Sequence, residues 1–266
     1  MQLEHHTYCE FQIGDSLIHL HFLRKLAKWY PERKFYHGVN PAHFPQMQEV
    51  IEDLPQIQLI DCAQRPYNSL LIWKNWNGFW QHHPLRNDYA GFHLEWFKSL
   101  SSRMGVENPF RSKEDFAFDY PALLKPTPLS APFDVLFINS PPCSGQFREF
   151  LSGPGGSNNP ELFADLINRL SSRNKVITTA RCSASRLCTL DHEITCTGIG
   201  NLSLYCPTIV AVSTGPSWPT FNVWNWRTAK NRIIFLNEEH LNMAPNTTEV
   251  GSIAQAESEL KAIGLL

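Results

Sequence analysis

One aspartate near the start of the chain stands where proton-transfer chemistry is common. Asp15 follows Gly14, between a predicted strand over residues 7–13 and a predicted helix over residues 17–27. In an open α/β sheet this strand-to-helix turn is the mouth of the sheet, where a carboxylate can take a proton from a substrate hydroxyl. Asp15 can also act only as a helix cap, and the spacing alone favours that interpretation.

A second candidate site is a turn that follows a predicted buried strand. It reads Ser213-Thr214-Gly215-Pro216-Ser217 and precedes a predicted helix, so its N–H groups, hydroxyls and helix dipole suit a phosphate. The turn lacks the lysine of a P-loop and the spacing of a dinucleotide fingerprint, which argues against triphosphate hydrolysis and NAD binding. An ordinary Gly-Pro turn with a serine cap is the alternative.

A loop over residues 139–148 occupies the corresponding place after the first strand of the second half. Ser140 offers a hydrogen bond there, and Arg148 offers a charge that can pair with a diphosphate. A solvated surface arginine is the alternative interpretation of Arg148.

Cysteines and histidines are the candidate metal ligands. Four of the seven cysteines lie between Cys182 and Cys206, at separations of six, eight and ten residues, which match no zinc-knuckle spacing. The eleven histidines contain no H-E-x-x-H pair. Buried, reduced thiols are therefore favoured over a metal site, and we predict no metal and no cofactor.

These candidates need a fold that brings strand ends together, and strand and helix patterns do alternate along the chain. Predicted strands lie at residues 7–13, 34–37, 57–60, 69–73, 133–138, 176–179, 193–196, 208–212 and 232–236. Predicted helices lie at residues 17–27, 47–54, 89–104, 160–170, 202–206, 217–229 and 252–263.

Five prolines between residues 108 and 132 indicate an extended connection and a domain boundary. We predict an α/β protein with two Rossmann-like parallel-sheet domains, residues 1–130 and 131–266, facing a cleft in which any function sits. The last helix, about 252–263, is expected to pack back toward the N-terminal domain.

Composition excludes several classes of function. The net charge of −2 and the pI near 6.6 argue against nucleic-acid binding, which needs a basic surface. We find no signal peptide and no apolar run of transmembrane length, so an intracellular protein without a transmembrane segment is expected. Tryptophans crowd into residues 73–96 and 218–226, where they are expected as core residues or as stacking surfaces for sugars and bases.

The order of these patterns resembles the heptosyltransferase-like glycosyltransferases and, more broadly, the GT-B fold. Residues 13–17, with the following helix and its Tyr30-Pro31 stop, are similar to the family's opening Gly-Asp turn. In the second half, residues 135–139 and 213–217 are similar to the family's strand and its Asp-Ser/Thr-Gly-Pro-Ser-His turn. The resemblance covers most of the chain.

The resemblance implies a metal-independent, inverting transfer of a sugar from a nucleotide-sugar donor to an acceptor hydroxyl. Residues 1–130 would bind a glycan, lipid-linked or protein acceptor, with Asp15 as the catalytic base. Residues 131–266 would bind the donor through Ser140, Arg148, Ser213, Thr214, Gly215 and Ser217. The nucleotide-sugar is a substrate, so no cofactor is implied, and the protein would be cytoplasmic or peripheral to a membrane.

Three departures from the family pattern keep other functions open. Ser213 and Trp218 stand where the family has Asp and His, and Gln146 stands where it has a lysine. These losses motivate a second hypothesis, a non-catalytic protein of the same fold that binds a nucleotide or glycan or serves as a partner subunit. A third is a sugar-nucleotide epimerase or other GT-B enzyme that turns over the donor without an acceptor.

Overall fold

The computed structural model describes residues 4–9, 12–71, 84–85, 88–129, 132–140, 159–228, 230–236 and 240–266. The chain divides into two units, Met1–Ala122 with Leu241–Met243, and Leu123–His240 with Ala244–Leu266. No helix in the described ranges is long and apolar enough to cross a membrane.

The first unit is built on a four-stranded parallel sheet in the order β3-β2-β1-β4. Its strands are β1 (Glu4–Tyr8), β2 (Lys34–Val39), β3 (Ile57–Asp61) and β4 (Leu70–Leu71). Its helices are α1 (Ile13–Trp29), α2 (Phe44–Ile51) and α3 (Tyr89–Arg103). The alternation of strand and helix in the sequence therefore predicted this parallel sheet correctly.

The first strand ends earlier than the sequence pattern predicted. β1 pairs with β2 only as far as Tyr8, opposite Gly38, and β2 itself ends at Val39, two residues before Pro41. Ile13 and Leu17 are spaced as on one face of a helix, and α1 begins at Ile13, four residues earlier than predicted. The Gly14-Asp15 pair, predicted as a turn, consequently lies inside the first turn of α1.

The proline-rich connection is anchored to α1 by ion pairs. It contains two short 3-10 helices, Lys113–Phe116 and Pro121–Leu124, where an extended segment was predicted. Lys25 Nζ lies 2.8 Å from Asp115 Oδ1, and Lys28 Nζ lies 2.7 Å from Asp119 Oδ2. These contacts fix the amino-terminal part of the connection on the first unit.

The second unit is built on a five-stranded parallel sheet in the order β6-β5-β7-β8-β9. Its strands are β5 (Val135–Ile138), β6 (Val176–Thr178), β7 (Thr208–Val212), β8 (Asn231–Phe235) and β9 (Thr247–Val250). Its helices are α4 (Ala164–Ser171), α5 (Cys196–Ser203), α6 (Val223–Arg227) and α7 (Ile253–Ala262). Apolar clusters cover both faces of the sheet.

Three predicted elements of the second unit differ from the structure. The strand predicted over 193–196 is the approach to α5, which begins at Cys196 and includes part of the predicted helix over 202–206. The helix predicted over 217–229 is a 3-10 helix, Gly215–Thr220, followed by α6. Pro219 removes a backbone donor, and Asn222 caps a new helix by accepting from the N–H of Asn225.

The last helix, α7, packs on the second sheet. Its buried residues, Ala256 and Leu260, belong to the same apolar cluster as Val212 and Phe235. They are therefore part of the core of the second unit.

Candidate functional site

Asp15 lies in the first turn of α1, at the carboxyl end of β1. The N-cap residue of this helix is Gln12, and Asp15 is its third residue, so Asp15 is not the cap. The helix dipole at this end favours a negative charge. The side chain is partly buried, which leaves a carboxyl group at the sheet edge where ligands of open α/β sheets bind.

The environment of Asp15 favours its neutral form more than water does. Burial raises the pKa of this carboxyl to about 7, although the backbone N–H groups of Gln12 and of Asp15 itself lower it in part. No lysine or arginine in the described residues contributes to this shift. A carboxyl group with a pKa near the working pH is suited to general-base catalysis.

Buried histidines surround the core of the first unit, and the sequence patterns gave no sign of them. His19 on α1, His37 on β2 and His93 on α3 are almost fully buried. His37 Nδ1 lies 2.8 Å from the Thr7 hydroxyl, and the rings of His19 and His93 are 6.4 Å apart. Burial lowers the pKa of His37 to about 3 and that of His93 to about 4, so both are neutral at pH 7. These histidines are far apart in the sequence, and they can be recognised as neighbours only when the packing of α1, β2 and α3 is known.

Polar residues follow three adjacent strands of the second sheet. Asn139 and Ser140 follow β5, Thr179 follows β6, and Ser213 follows β7. Because the three strands are parallel neighbours, these residues lie at one edge of the sheet. The Ser140 and Thr179 hydroxyls lie 2.7 Å apart and are hydrogen-bonded.

Asn139 fastens the ends of β5 and β6 together. Its side-chain amide donates to the Ala180 carbonyl at 3.0 Å, and its Oδ1 accepts from the N–H groups of Thr179 and Ala180 at 3.2 and 2.8 Å. The side chain is fully buried. This residue, which sequence reasoning did not select, is what holds Ser140 and Thr179 in place.

The turn after β7 is held by Ser217. Its hydroxyl donates to the Thr214 carbonyl at 2.8 Å and accepts from the Thr214 N–H at 3.2 Å. Thr214 and Ser217 form a capping box at the start of the 3-10 helix, and the Thr214 side chain is buried. Gly215 and Pro216 are partly exposed, whereas Ser213 is buried. The Ser217 hydroxyl and the Thr214 side chain thus both shape the turn.

The remaining residues singled out in the sequence are Trp218, next to this edge, and several residues that the structure does not describe. Trp218 is buried with its ring 5.8 Å from that of Phe221, so it is part of the core. Arg148, Gln146 and the tryptophans of residues 73–80 lie outside the described residues. Within the described ranges, no three His, Cys, Asp or Glu side chains are grouped so that they could hold a metal ion.

No protein-family model matches the sequence, and no curated protein matches it significantly. Solved structures do match. E. coli heptosyltransferase WaaC with ADP has a TM-score of 0.55 at 11% identity over 98% of this chain and 97% of that one. The glycosyl transferase family 9 structure from Veillonella parvula has a TM-score of 0.54 at 10% identity over 100% and 91%. This chain has the fold of the heptosyltransferases.

A third match extends the comparison to a longer protein. The iron-containing dodecameric glycosyltransferase TibC from enterotoxigenic E. coli has a TM-score of 0.52 at 14% identity, over 93% of this chain. The chain spans 63% of the length of TibC. The heptosyltransferase fold, with its two parallel-sheet α/β units, thus confirms the fold class that the order of motifs predicted.

Proposed function

We propose that this protein is a glycosyltransferase that moves a sugar from a nucleotide-sugar donor to an acceptor hydroxyl. The observation that carries the proposal is Asp15, a carboxyl group at the carboxyl end of β1 whose pKa burial raises to about 7. It lies on the heptosyltransferase fold at the position that the sequence resemblance assigns to a catalytic base. Fold alone does not define chemistry, so the proposed activity depends on this residue.

In the proposed reaction Asp15 takes the proton of the acceptor hydroxyl as the oxygen attacks the anomeric carbon. The bond from that carbon to the diphosphate breaks on the opposite face, so the configuration is inverted. The nucleoside diphosphate leaves with the bonding electron pair. Of the two units, the first would bind a glycan, lipid-linked or protein acceptor and the second the donor.

The donor would meet the hydroxyl-rich edge of the second sheet. Ser140 follows β5, and Ser213 and Thr214 follow the adjacent strand β7. Hydroxyl and backbone donors fixed before the reaction stabilise charge that develops on a leaving diphosphate. Ser217 would act by holding the Thr214–Gly215 backbone, and Arg148 would add a positive charge.

A donor screen and one substitution test this proposal. The first step is a thermal-shift screen of ADP-, GDP-, UDP-, CMP- and dTDP-sugars, with and without chelator, because a ligand of the native state raises Tm. ADP-heptose comes first, since TibC is described with ADP-D-beta-D-heptose and WaaC with ADP. A metal-independent transferase keeps its activity in chelator.

The second step is Asp15→Asn, with Asp165→Asn as the matched control. Asp165 is also an aspartate in the first turn of a helix, α4, but it is exposed. We expect Asp15→Asn to lose transfer by about 100-fold or more, the usual contribution of general-base catalysis, while donor affinity stays within twofold. Asp165→Asn should retain both. Full activity of Asp15→Asn would refute the role of Asp15.

The non-catalytic alternative is supported by one observation at the donor edge. The Ser217 hydroxyl is already hydrogen-bonded to the Thr214 backbone. A buried Trp218 follows it, at the position where the resemblance places a histidine. A nucleotide- or glycan-binding protein would bind a sugar nucleotide without turning it over, and Asp15→Asn would then change no function. An epimerase would convert the donor without an acceptor, which product analysis separates from transfer.

A further inference from the structure

Arg232 is a cation buried in the second unit with few partners. It is the second residue of β8, and its side chain is 1% exposed. Nη2 donates to the Thr220 carbonyl at 3.2 Å, whereas Nε and Nη1 have no hydrogen-bond partner among the described residues. The guanidinium carbon lies 5.6 Å from the centroid of the Phe221 ring. The Thr220 carbonyl and the Phe221 ring offset only a small part of the free energy lost when the guanidinium charge is removed from water.

The other fully buried arginine shows how this protein compensates such a charge. Arg24 donates to both carboxylate oxygens of Asp53, and its Nε lies 4.0 Å from Asp119. Arg232, by contrast, has no carboxylate within ion-pair distance among the residues that the structure describes. A buried guanidinium without a counter-ion is strongly unfavourable, so Arg232 lacks the partner that Arg24 has.

A second cation adds to the uncompensated charge. Lys230, two residues earlier and partly exposed, donates through Nζ to the carbonyls of Ser203 and Leu204, both at 2.5 Å. Burial lowers the pKa of Lys230 to about 8; Cys206 raises it in part, and the positive charge of Arg232 lowers it further. The two cations therefore repel each other, and in the described part of the chain neither forms an ion pair with a carboxylate.

The surroundings of the two cations are polar and include carbonyl oxygens and one side-chain amide. The Asn225 amide nitrogen donates to the Ser203 hydroxyl at 2.6 Å and to the Thr220 carbonyl at 3.0 Å, the same carbonyl that Arg232 uses. The donors left for a ligand in the described residues are Nε and Nη1 of Arg232. An anion that accepts from them also balances the charge of the guanidinium, which a neutral molecule does not.

We propose that Arg232 and Lys230 form a binding site for a small inorganic anion of the halide class. Its size follows from burial, because Arg232 and Asn225 are almost completely enclosed. Arg232 pairs with Ile209 and Thr247 near the amino ends of the strands. The site is therefore at the edge of the sheet opposite to the proposed donor edge, and it is independent of the proposed function.

The test is a chloride titration of the whole protein at constant ionic strength, with gluconate as the bulky replacement ion. Saturable binding to the native state should raise Tm by about 3–8 °C between 1 and 100 mM chloride. Arg232→Met should abolish this rise, and Arg173→Met, which removes an exposed arginine from the same unit, should keep it. Equal responses in wild type and Arg232→Met, or a linear response without saturation, would overturn the proposal.

Crystals grown in bromide provide a readout that needs no variant. The anomalous signal should place a bromide within hydrogen-bond distance of Arg232 Nε or Nη1. A map with bromide peaks elsewhere and none at Arg232 would contradict the site even if the variant failed to fold.

Discussion

At the scale of single residues, Asp15 combines two properties that conflict in energy. Its carboxyl group lies at a helix amino terminus, which favours charge, yet burial raises its pKa to about 7. Such a group is expensive to ionise and is therefore reactive when it does ionise. The ionised form of Asp15 is therefore expected to lower the free energy of unfolding.

We predict that Asp15→Asn stabilises the protein at high pH. Because the folded pKa of about 7 exceeds the unfolded value of 3.8, the contribution of Asp15 to stability is greatest below pH 3.8 and is lost as the pH rises through 7. The neutral amide avoids this loss, worth up to about 4 kcal/mol above pH 7. Urea denaturation of the wild type and of Asp15→Asn at pH 5.5 and 8 measures this difference. A gain of equal size at both pH values would contradict the origin of the effect in ionisation.

At the scale of elements, the donor edge depends on how α5 packs against the 3-10 helix Gly215–Thr220. Gly200 in α5 allows this approach, because an added Cβ would lie 2.6 Å from Pro219 Cβ and 3.0 Å from the Pro219 carbonyl oxygen. The backbone of the turn would have to move to make room. The position of the turn at residues 213–217 is thus set in part by a glycine on a neighbouring helix.

Gly200→Ala is expected to destabilise the protein by about 1–3 kcal/mol, the usual cost of overpacking. Gly198→Ala in the same helix is the comparison, because its Cβ would lie 2.6 Å from the Cγ2 methyl of Ile194 and would meet side chains only, not the backbone of the turn. Both substitutions gain the same helix propensity, so their difference in urea denaturation isolates the packing term. Equal stabilities of the two variants would show that α5 does not constrain the turn.

Sequence patterns predicted the parallel strands well where apolar residues are contiguous, as in β5 and β7. They missed β9 because its Thr-Thr-Glu-Val sequence is an edge strand with little apolar pattern. They placed the end of β1 too late because only pairing with β2 determines it. The position of Asp15 at a strand-to-helix junction was predicted, but the internal bonds of Ser217 and the partners of Asn139 depend on tertiary contacts that no spacing reveals.

At the scale of the whole molecule, buried histidines are distributed unevenly. His19, His21, His37 and His93 are almost fully buried in the first unit, whereas the two histidines of the second unit, His192 and His240, are partly buried and exposed. Burial lowers the pKa of His21 and His37 to about 3 and that of His93 to about 4, and that of His19 falls well below its usual value. Acid should therefore affect the first unit selectively.

We predict that the first unit unfolds in acid before the second. Since the folded pKa values lie below the unfolded value of 6.5, only the unfolded unit takes up these protons, and stability is lost as the pH falls below 6.5. Four such groups would cost about 8 kcal/mol at pH 5, comparable with the whole stability of a domain. Hydrogen exchange by mass spectrometry at pH 7 and 5 should show loss of protection in Glu4–Tyr8 and α1 first.

A substitution checks the origin of this acid sensitivity. His37→Gln should reduce the number of protons taken up on unfolding by about one, because the buried neutral imidazole is removed. Simultaneous loss of protection in both units at pH 5 would contradict the assignment to the histidines of the first unit.

The most direct test of the proposed chemistry is the pH dependence of kcat/KM for sugar transfer between pH 5.5 and 8.5, once the donor screen has identified the donor. If Asp15 is the base, kcat/KM rises about tenfold per pH unit in the acid range and levels off near pH 7, as the pKa of about 7 requires. The residual activity of Asp15→Asn should lack this rise. A flat profile in the wild type, or the same rise in Asp15→Asn, would show that another group removes the acceptor proton.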